Sequence, residues 1–412
     1  MSLPPPPPPR QGPRPLPAHL ALAATIWTSS RAAWPLLRSA SPASSPPWPG
    51  PIADLAAPLR DVDPEAFGAA LDQEIRERAD RFLRGLELYR HHPYRRALPE
   101  APAVWSEGTT VLRRYGRADA PAGAVLVVPS LINRGYILDL AADSSLLRFL
   151  AARGFTAYLV DWGAPGADER RFDLTAYVAG RLEAALDAIL AETGRPVAVA
   201  GYCMGGDLAL ALATRRGRDI GRLALLATPW DFHADRPAQA RAMAAWYATA
   251  DPWVARWGEL PVDLLQMLFL ALDPALGLRK FSSFADLDPA SDKAQAFVAL
   301  EDWLNDGVPL AAAVGRECLV DWYGANATAR GAWQVAGRRV DPAGLAMPTL
   351  VIAPQHDRIV PHASAAALAA AIPGARLLSP SLGHIGMIVG AAAPAVVWEP
   401  LARWLDSGPG DP

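Results

Sequence analysis

The sequence predicts an α/β fold with a mostly parallel sheet and helices on both of its faces. Short continuous apolar runs, such as residues 124–128 and 349–353, alternate with longer amphipathic stretches. That alternation is typical of parallel strands that are covered on both sides. A glycine-flanked strand, turn and helix start at residues 197–206 fits the same architecture. With 412 residues, about half of them apolar, the chain is long enough to bury a sizeable core.

The elements of this core are predicted in two segments, residues 104–230 and 341–407. Their boundaries follow from apolar runs and from the glycines and prolines that end them. The predicted core elements are a hairpin at 104–115, strands at 124–128, 156–160, 197–202, 223–227, 349–353 and 376–379, and helices at 143–153, 174–192 and 394–405.

Three further segments complete the predicted organisation. Residues 1–60 are rich in proline, alanine and serine, which predicts a flexible leader with weak helical patches. Residues 61–103 are predicted to be an N-terminal helical segment, because apolar residues recur there at helical spacing, in one helix or two. Residues 231–340 carry many tryptophans and apolar helical patches but no clear strand. We expect a helical cap insertion over the C-terminal edge of the sheet.

Charge and cysteine content exclude several classes of protein. The net charge of −3 gives no electrostatic support for nucleic-acid binding. The two cysteines are Cys203 and Cys318, and since Cys203 lies in the glycine turn we expect no structural disulfide, which fits a reducing, cytoplasmic compartment. The seven histidines are scattered and no C-x-x-C occurs, so we expect no metal site. The apolar stretch 20–27 is too short to span a bilayer.

The most informative motif is residues 201–206, Gly-Tyr-Cys-Met-Gly-Gly. It matches the nucleophile-elbow pattern G-x-S-x-G of α/β-hydrolases, with sulfur in place of oxygen. Such a turn raises its apex side chain above the sheet, beside the N–H groups of a helix N-terminus, which stabilise a thiolate and an oxyanion. We therefore predict Cys203 as a nucleophile, against the alternative that it is a small buried hydrophobe.

A nucleophile of this kind needs a base and an acid, in the chain order nucleophile, acid, histidine. Asp357 follows a predicted strand end, and His384 lies in the loop after the last predicted strand. We predict Asp357 as the acid and His384 as the base; His356, next to the acid, is an alternative base. The oxyanion hole is predicted from the backbone N–H groups of Met204 and of the loop 130–132, at Leu131.

Several motifs in order resemble polyhydroxyalkanoate synthases over roughly residues 104–405. They are the loop segment 128–140, the strand-end segment 159–165, the cysteine elbow 201–206, the acid segment 357–361, the histidine segment 383–386 and the cap segments 300–303 and 320–323. The cap segments look closest to the class III catalytic subunit. One departure is Arg358, where the family commonly has a histidine after the acid.

This resemblance implies an α/β-hydrolase fold and an acyltransferase that polymerises 3-hydroxyacyl-CoA into polyester with release of CoA. In that reading Cys203 forms the acyl-enzyme, His384 takes the thiol proton and Asp357 orients His384. No cofactor is implied, since the coenzyme A thioester is the substrate. The implied partners are the growing polyester chain or granule surface and a homodimer or second synthase subunit, in the cytoplasm or on a polymer granule.

Two other functions remain compatible with the sequence. The fold hosts many hydrolases, so a cysteine hydrolase acting on esters, thioesters or the polymer is the main alternative. A non-catalytic granule-surface or partner-binding protein is the other. Hydrolysis without a polymer product would favour the hydrolase over the synthase. A Cys203→Ala variant that changes neither acyl transfer nor hydrolysis would favour the non-catalytic protein.

Overall fold

The computed structural model describes residues 9–39, 54, 58–59 and 61–407. The chain forms two compact units, one of Met1–Tyr94 with Asp273–Asn305 and the other of Arg95–Leu272 with Asp306–Pro412. The stretch 231–340, expected as one helical insertion, is therefore divided between the two units. The second unit contains the sheet and the residues of the candidate site.

An eight-stranded sheet forms the centre of the second unit. Its strands are β1 Ala103–Glu107, β2 Thr110–Tyr115, β3 Gly123–Val128, β4 Phe155–Asp161, β5 Val197–Tyr202, β6 Ile220–Leu226, β7 Thr349–Ile352 and β8 Arg376–Leu378. Their spatial order is β1-β2-β4-β3-β5-β6-β7-β8. β2 pairs antiparallel with β1 and β4, and the other neighbours pair in parallel. The predicted α/β-hydrolase fold, with a mostly parallel sheet, is confirmed.

Helices occur in both units of the described chain. They are α1 Leu16–Ser39, α2 Pro64–His91, α3 Leu146–Ala152, α4 Glu183–Thr193, α5 Met204–Arg216, α6 Pro237–Trp257, α7 Val262–Leu272, α8 Leu276–Phe284, α9 Asp292–Asn305, α10 Ala312–Arg316, α11 His362–Ala371, α12 Gly386–Val389 and α13 Glu399–Asp406. π-helical turns occur at Ala176–Leu182, Glu317–Gly324 and Pro394–Trp398, and 3₁₀ turns at Gly135–Leu138, Glu169–Arg171 and Pro342–Gly344. Among the described residues, no helix is both long enough and apolar enough to cross a membrane.

Two helices of the second unit differ in detail from their predicted limits. The helix expected over 143–153 begins at Leu146, because residues 144–145 pair with 139–141 and Ser145 accepts a hydrogen bond from the Arg148 N–H as an N-cap. The helix expected over 174–192 opens with the π-helical turn and ends at Gly194, whose φ of 65° closes α4.

The first unit is built from α1, α2, α8 and α9. Its core contains Phe82 and Leu86 of α2 together with Phe281 and Phe284 of α8. Residues 1–60 were expected to be a flexible leader, but the described part includes α1. Two buried residues of α1, Ala23 and Trp34, hold that helix in the unit; the Trp34 ring centroid lies 4.0 Å from that of Phe67. Residues 1–8, 40–53, 55–57 and 60 of that expected leader lie outside the described residues.

The second unit's share of 231–340 is helical but includes two short ladders. Glu259–Leu260 pairs with Leu310–Ala311, and Gln334–Val335 pairs with Arg338–Arg339. Two-residue strands of this kind have no periodic signal in the sequence, which explains why only helices were expected there.

Candidate active site

Cys203 occupies the turn between β5 and α5. Its φ of 55° and ψ of −132° lie in a region that residues with a side chain rarely adopt. The Cys203 N–H donates a 2.8 Å hydrogen bond to the Leu226 carbonyl, and its own carbonyl accepts one of 2.8 Å from the Gly206 N–H. These bonds hold the strained residue at the N-terminus of α5, with its side chain partly exposed.

Glycines make this turn sterically possible. A Cβ added to Gly205 would lie 2.1 Å from the Val128 carbonyl oxygen, and one added to Gly206 would lie 1.8 Å from the Thr228 Oγ1. A Cβ on Gly201 would lie 2.4 Å from the Gly206 Cα. The first turn of α5 therefore lies directly against the loop after β3 and the end of β6.

We expect Gly206→Ala to lower the free energy of unfolding by about 2–3 kcal/mol, because overpacking forces the first turn of α5 away from Thr228. Urea denaturation measures the change. The matched control is Gly180→Ala, an exposed glycine whose added Cβ meets no atom within 4 Å. That variant should stay within about 1 kcal/mol of the parent or gain stability. Equal losses in the two variants would contradict the steric explanation.

The structure brings Asp357 and His384 together in the second unit. His384 Nδ1 lies 2.7 Å from Asp357 Oδ2, and both side chains are buried. The other carboxylate oxygen, Oδ1, accepts hydrogen bonds of 2.8 Å each from the N–H groups of Ile359 and Val360. These two bonds fix the carboxylate and leave Oδ2 to orient the imidazole.

His384 also interacts with Cys203. Burial lowers the pKa of His384, but the negative charges of Cys203 and Asp357 and the hydrogen bonds to both side chains outweigh it and raise the pKa to about 10. The imidazole is therefore protonated at neutral pH. The arrangement can hold a thiolate and an imidazolium as a pair and can supply a proton to a departing group.

The predicted oxyanion-hole positions lie on the two segments that Gly205 brings together. Met204 is the first residue of α5, where helical N–H groups have no partner within the helix. Leu131 is buried in the loop after β3, and the Trp162 Nε1–H fixes that loop by donating to the Pro129 carbonyl at 3.0 Å. Both backbone groups remain predictions as oxyanion donors.

The alternative base, His356, makes a different contact: it is exposed and its Nε2 lies 3.0 Å from the Ser381 Oγ. Two further histidines also bond elsewhere, since His362 Nδ1 contacts the Ala353 carbonyl and His233 Nε2 contacts the Tyr323 carbonyl. Cys318 is buried in the π-helical turn Glu317–Gly324, and burial raises the pKa of its thiol well above the usual value. The three residues in hydrogen-bonding contact are therefore Cys203, His384 and Asp357.

Tyr202 is a site residue that the sequence analysis did not single out. Its hydroxyl donates a 3.1 Å hydrogen bond to the His384 carbonyl, and the two ring centroids are 5.1 Å apart. Burial raises the pKa of the Tyr202 phenol well above its usual value, and the charges of Cys203 and Asp357 add to that effect. This side chain holds the histidine loop against the elbow strand. Its position inside the motif is the signal that could have identified it.

Asp207 is a second residue that the sequence analysis did not single out. It follows the elbow glycines in α5, one turn after Cys203, and its side chain is fully buried. Among the described residues, no other side chain or backbone group forms a hydrogen bond with either carboxylate oxygen. Burial, and then the charge of Cys203, raise the pKa of Asp207 well above its usual value. The Asp207 carboxyl therefore keeps its proton to a higher pH than an exposed aspartic acid does.

The raised pKa of Asp207 predicts a pH dependence of stability. In the unfolded chain Asp207 loses its proton near pH 4, whereas the folded protein keeps it to a higher pH. Between these two values the folded state binds the extra proton, so rising pH lowers the free energy of unfolding by up to about 1.4 kcal/mol per pH unit.

Asp207→Asn should remove that loss, because an amide does not titrate. We expect the difference in melting temperature, Asp207→Asn minus the parent, to increase as the pH is raised from 4 to 8. The same comparison with Asp263→Asn, at the exposed Asp263 of α7, controls for a general change of charge. A constant difference between Asp207→Asn and the parent across the pH range would contradict a raised pKa for Asp207.

Comparison with known families agrees with the observed fold. A family model described as alpha/beta hydrolase fold matches residues 123–391, well over half of the chain. The matched range includes β3, the elbow and the loops that carry Asp357 and His384.

Curated relatives are similar to the chain over most of its length. A poly(3-hydroxyalkanoate) polymerase subunit PhaC from Thiocystis violacea is 31% identical over 318 residues, 74% of this chain and 87% of that protein. The subunit of the same name from Allochromatium vinosum is 30% identical over 314 residues, with the same two coverages. The one from Synechocystis sp. is 30% identical over 354 residues, 81% of this chain and 93% of that protein.

Proposed function

Since this chain belongs to the family of poly(3-hydroxyalkanoate) polymerase subunits with an α/β-hydrolase fold, we propose that it polymerises 3-hydroxyacyl-CoA into polyester with release of CoA. The observation that carries the proposal is the contact of His384 with both Cys203 and Asp357 at the nucleophile elbow. We further propose that these three residues are a catalytic triad.

In the proposed acylation step, the Cys203 thiolate attacks the thioester carbonyl of 3-hydroxyacyl-CoA. The oxyanion that forms accepts hydrogen bonds from the Met204 and Leu131 N–H groups. The carbon–sulfur bond to CoA breaks as a new carbon–sulfur bond to Cys203 forms. The His384 imidazolium gives its proton to the departing CoA sulfur, and Asp357 holds the ring in the required orientation.

In the proposed elongation step, the 3-hydroxyl of an incoming 3-hydroxyacyl-CoA attacks the Cys203 thioester. His384, now neutral, takes the hydroxyl proton as the ester carbon–oxygen bond forms. The carbon–sulfur bond to Cys203 breaks and restores the thiolate beside an imidazolium. The lengthened acyl-CoA then acylates Cys203 again and releases CoA. A thioester suits this repeated transfer because it reacts with alcohols more readily than an oxygen ester.

Water competes with the hydroxyl for the same thioester, so polymerisation also needs a dry site. Aromatic side chains of the second unit's 231–340 segment support this requirement. Phe232 contacts Tyr323 with ring centroids 4.7 Å apart, and burial and the charge of Cys203 raise the pKa of Tyr323 above its usual range. We propose that these rings shield the acyl-enzyme from solvent.

The direct test supplies purified protein with 3-hydroxybutyryl-CoA. We expect release of CoA together with an insoluble polyester whose mass grows with the amount of substrate. Release of CoA with free 3-hydroxybutyrate as the sole product would overturn the proposal in favour of hydrolysis. Neither CoA release nor polymer would reject both enzymatic functions.

We also propose that the working enzyme is a homodimer or a complex with a second synthase subunit, in the cytoplasm and associated with the polymer granule. The relatives are named polymerase subunits, which supports an assembly. Light scattering of the purified protein, before 3-hydroxybutyryl-CoA is added, gives the mass of the protein in solution. A monomer that retains full polymerising activity would reject the assembly.

A further inference from the structure

A concave surface lies in the second unit, at the edge of the sheet where the parallel strands begin. Its volume is about 740 Å³. It is formed by the end of α5 with the following residues up to 219, by the Arg338–Arg339 strand and by residues 341–347 before β7. Five of its lining residues are arginines, so we call it the arginine groove: Arg215, Arg216, Arg218, Arg338 and Arg339.

Two of these arginines have a structural explanation. Arg215 forms an ion pair with Glu183, and Arg216 forms ion pairs with Asp187 and Asp219. Both lie in the last turn of α5, where positive side chains favourably complement the helix dipole. Their charges are therefore balanced within the fold.

The other three arginines, Arg218, Arg338 and Arg339, are exposed, and none forms an ion pair within the described part of the chain. Arg338 donates one long hydrogen bond, 3.4 Å, to the Arg215 carbonyl.

The carboxylates that line the groove offset only part of this charge. Asp219 is engaged by Arg216, and Asp341, which accepts a 3.1 Å hydrogen bond from the Ala343 N–H, balances one of the three remaining arginines. The groove thus concentrates positive charge in a chain whose net charge is −3.

The hairpin that presents Arg338 and Arg339 has a strained turn. Its two turn residues, Ala336 and Gly337, have φ values of 48° and 74°, which is the geometry of a tight two-residue hairpin turn. Alanine in this conformation costs about 1 kcal/mol, and such outliers concentrate at functional sites. The buried side chains of Trp333 and Val335 anchor the hairpin in the core. The backbone that carries the two arginines is therefore anchored to folded structure, while their side chains extend into solvent.

We propose that the arginine groove is a binding site for a small phosphorylated anion that carries several phosphate groups, such as a nucleoside triphosphate or inorganic triphosphate. Guanidinium groups bind phosphate oxygens through paired N–H donors, and a concave site of this volume fits a small molecule better than a flat protein surface. Ala213, Leu345 and Met347 provide an apolar wall that would suit a nucleobase.

This site is separate from the one proposed for acyl transfer. The nucleophile lies at the N-terminus of α5 and the groove at its C-terminus, and a helix of 13 residues is about 20 Å long. Binding to the groove therefore needs no acyl substrate, and its measurement does not depend on whether the chain makes polymer.

Isothermal titration calorimetry with inorganic triphosphate and with ATP tests the proposal on the full-length protein. We expect both to bind, and tighter binding of ATP would identify a nucleotide as the preferred source of phosphate. Combining Arg218→Gln, Arg338→Gln and Arg339→Gln should weaken binding of either anion at least about tenfold, since one charge-assisted contact contributes about that factor.

A control variant combines Arg76→Gln, Arg195→Gln and Arg241→Gln, three exposed arginines outside the groove with the same total change in charge. It should bind the anions as the parent does, and circular dichroism should show that both variants are folded. The proposal fails if neither anion binds, if both variants lose affinity equally, or if a poly-glutamate peptide binds more tightly than triphosphate. The last result would identify a protein-docking surface instead.

Discussion

Replacing Cys203 with alanine is expected to lower CoA release from 3-hydroxybutyryl-CoA by about 10⁴-fold or more, because the acyl-enzyme can no longer form. The assay follows free CoA and polymer. The Cys203→Ser variant replaces the thiol with a hydroxyl, which cannot form the ion pair proposed between Cys203 and His384. We expect the serine to be acylated slowly. The resulting oxygen ester should be stable enough for mass spectrometry to detect the added acyl group on the protein.

The second cysteine provides the matched control. The sequence contains only Cys203 and Cys318, and the latter is buried in a turn that contacts neither His384 nor Asp357 in the hydrogen bonds of the described residues. Cys318→Ala should keep CoA release within a few-fold of the parent. Iodoacetamide should modify one cysteine in the folded parent and in Cys318→Ala, and none in Cys203→Ala. A Cys203→Ala variant that retained a tenth of the parent's CoA release would reject covalent catalysis by this residue.

The sequence predicted the sheet and the site best where the signal is local. The strands β3, β4 and β6 each contain a short run dominated by apolar residues, and the expected and observed limits differ by three residues at most. The turn at Cys203 is set by Gly201, Gly205 and Gly206 within six residues, so its geometry could be foreseen from the motif. The pairing of His384 with Asp357 was expected from chain order and is present as a 2.7 Å contact.

Features that depend on distant parts of the chain were not foreseen. For the proline-rich residues 1–60 only weak helical patches were predicted, whereas burial of Ala23 and Trp34 stabilises the 24-residue α1. The helices α8 and α9 belong with the N-terminal unit because their apolar faces meet α2, and no periodicity in a single segment reports such a partner. Burial of Asp207 and convergence of the groove arginines likewise arise only when separate elements fold together.

Asp357→Asn is expected to have the second largest effect, a fall in CoA release of about 10³- to 10⁴-fold. The carboxylate is one of the two negative charges that raise the pKa of His384 to about 10. The amide should still accept the N–H groups of Ile359 and Val360, but its NH₂ group would face His384 Nδ1 and favour the wrong tautomer. The imidazolium would then lose its proton at a lower pH.

The pH dependence separates this electrostatic effect from a structural one. In the parent, CoA release should fall as pH rises through about 10, since His384 then lacks the proton that it gives to the CoA sulfur. In Asp357→Asn the same alkaline limb should move to lower pH. Asp161→Asn, at a carboxylate paired with Arg113, tests loss of a charge elsewhere in the second unit and should leave the pH profile of CoA release in place. An alkaline limb that stays near pH 10 in Asp357→Asn would mean that Cys203 alone holds the proton on His384, and the proposed role of Asp357 would be rejected.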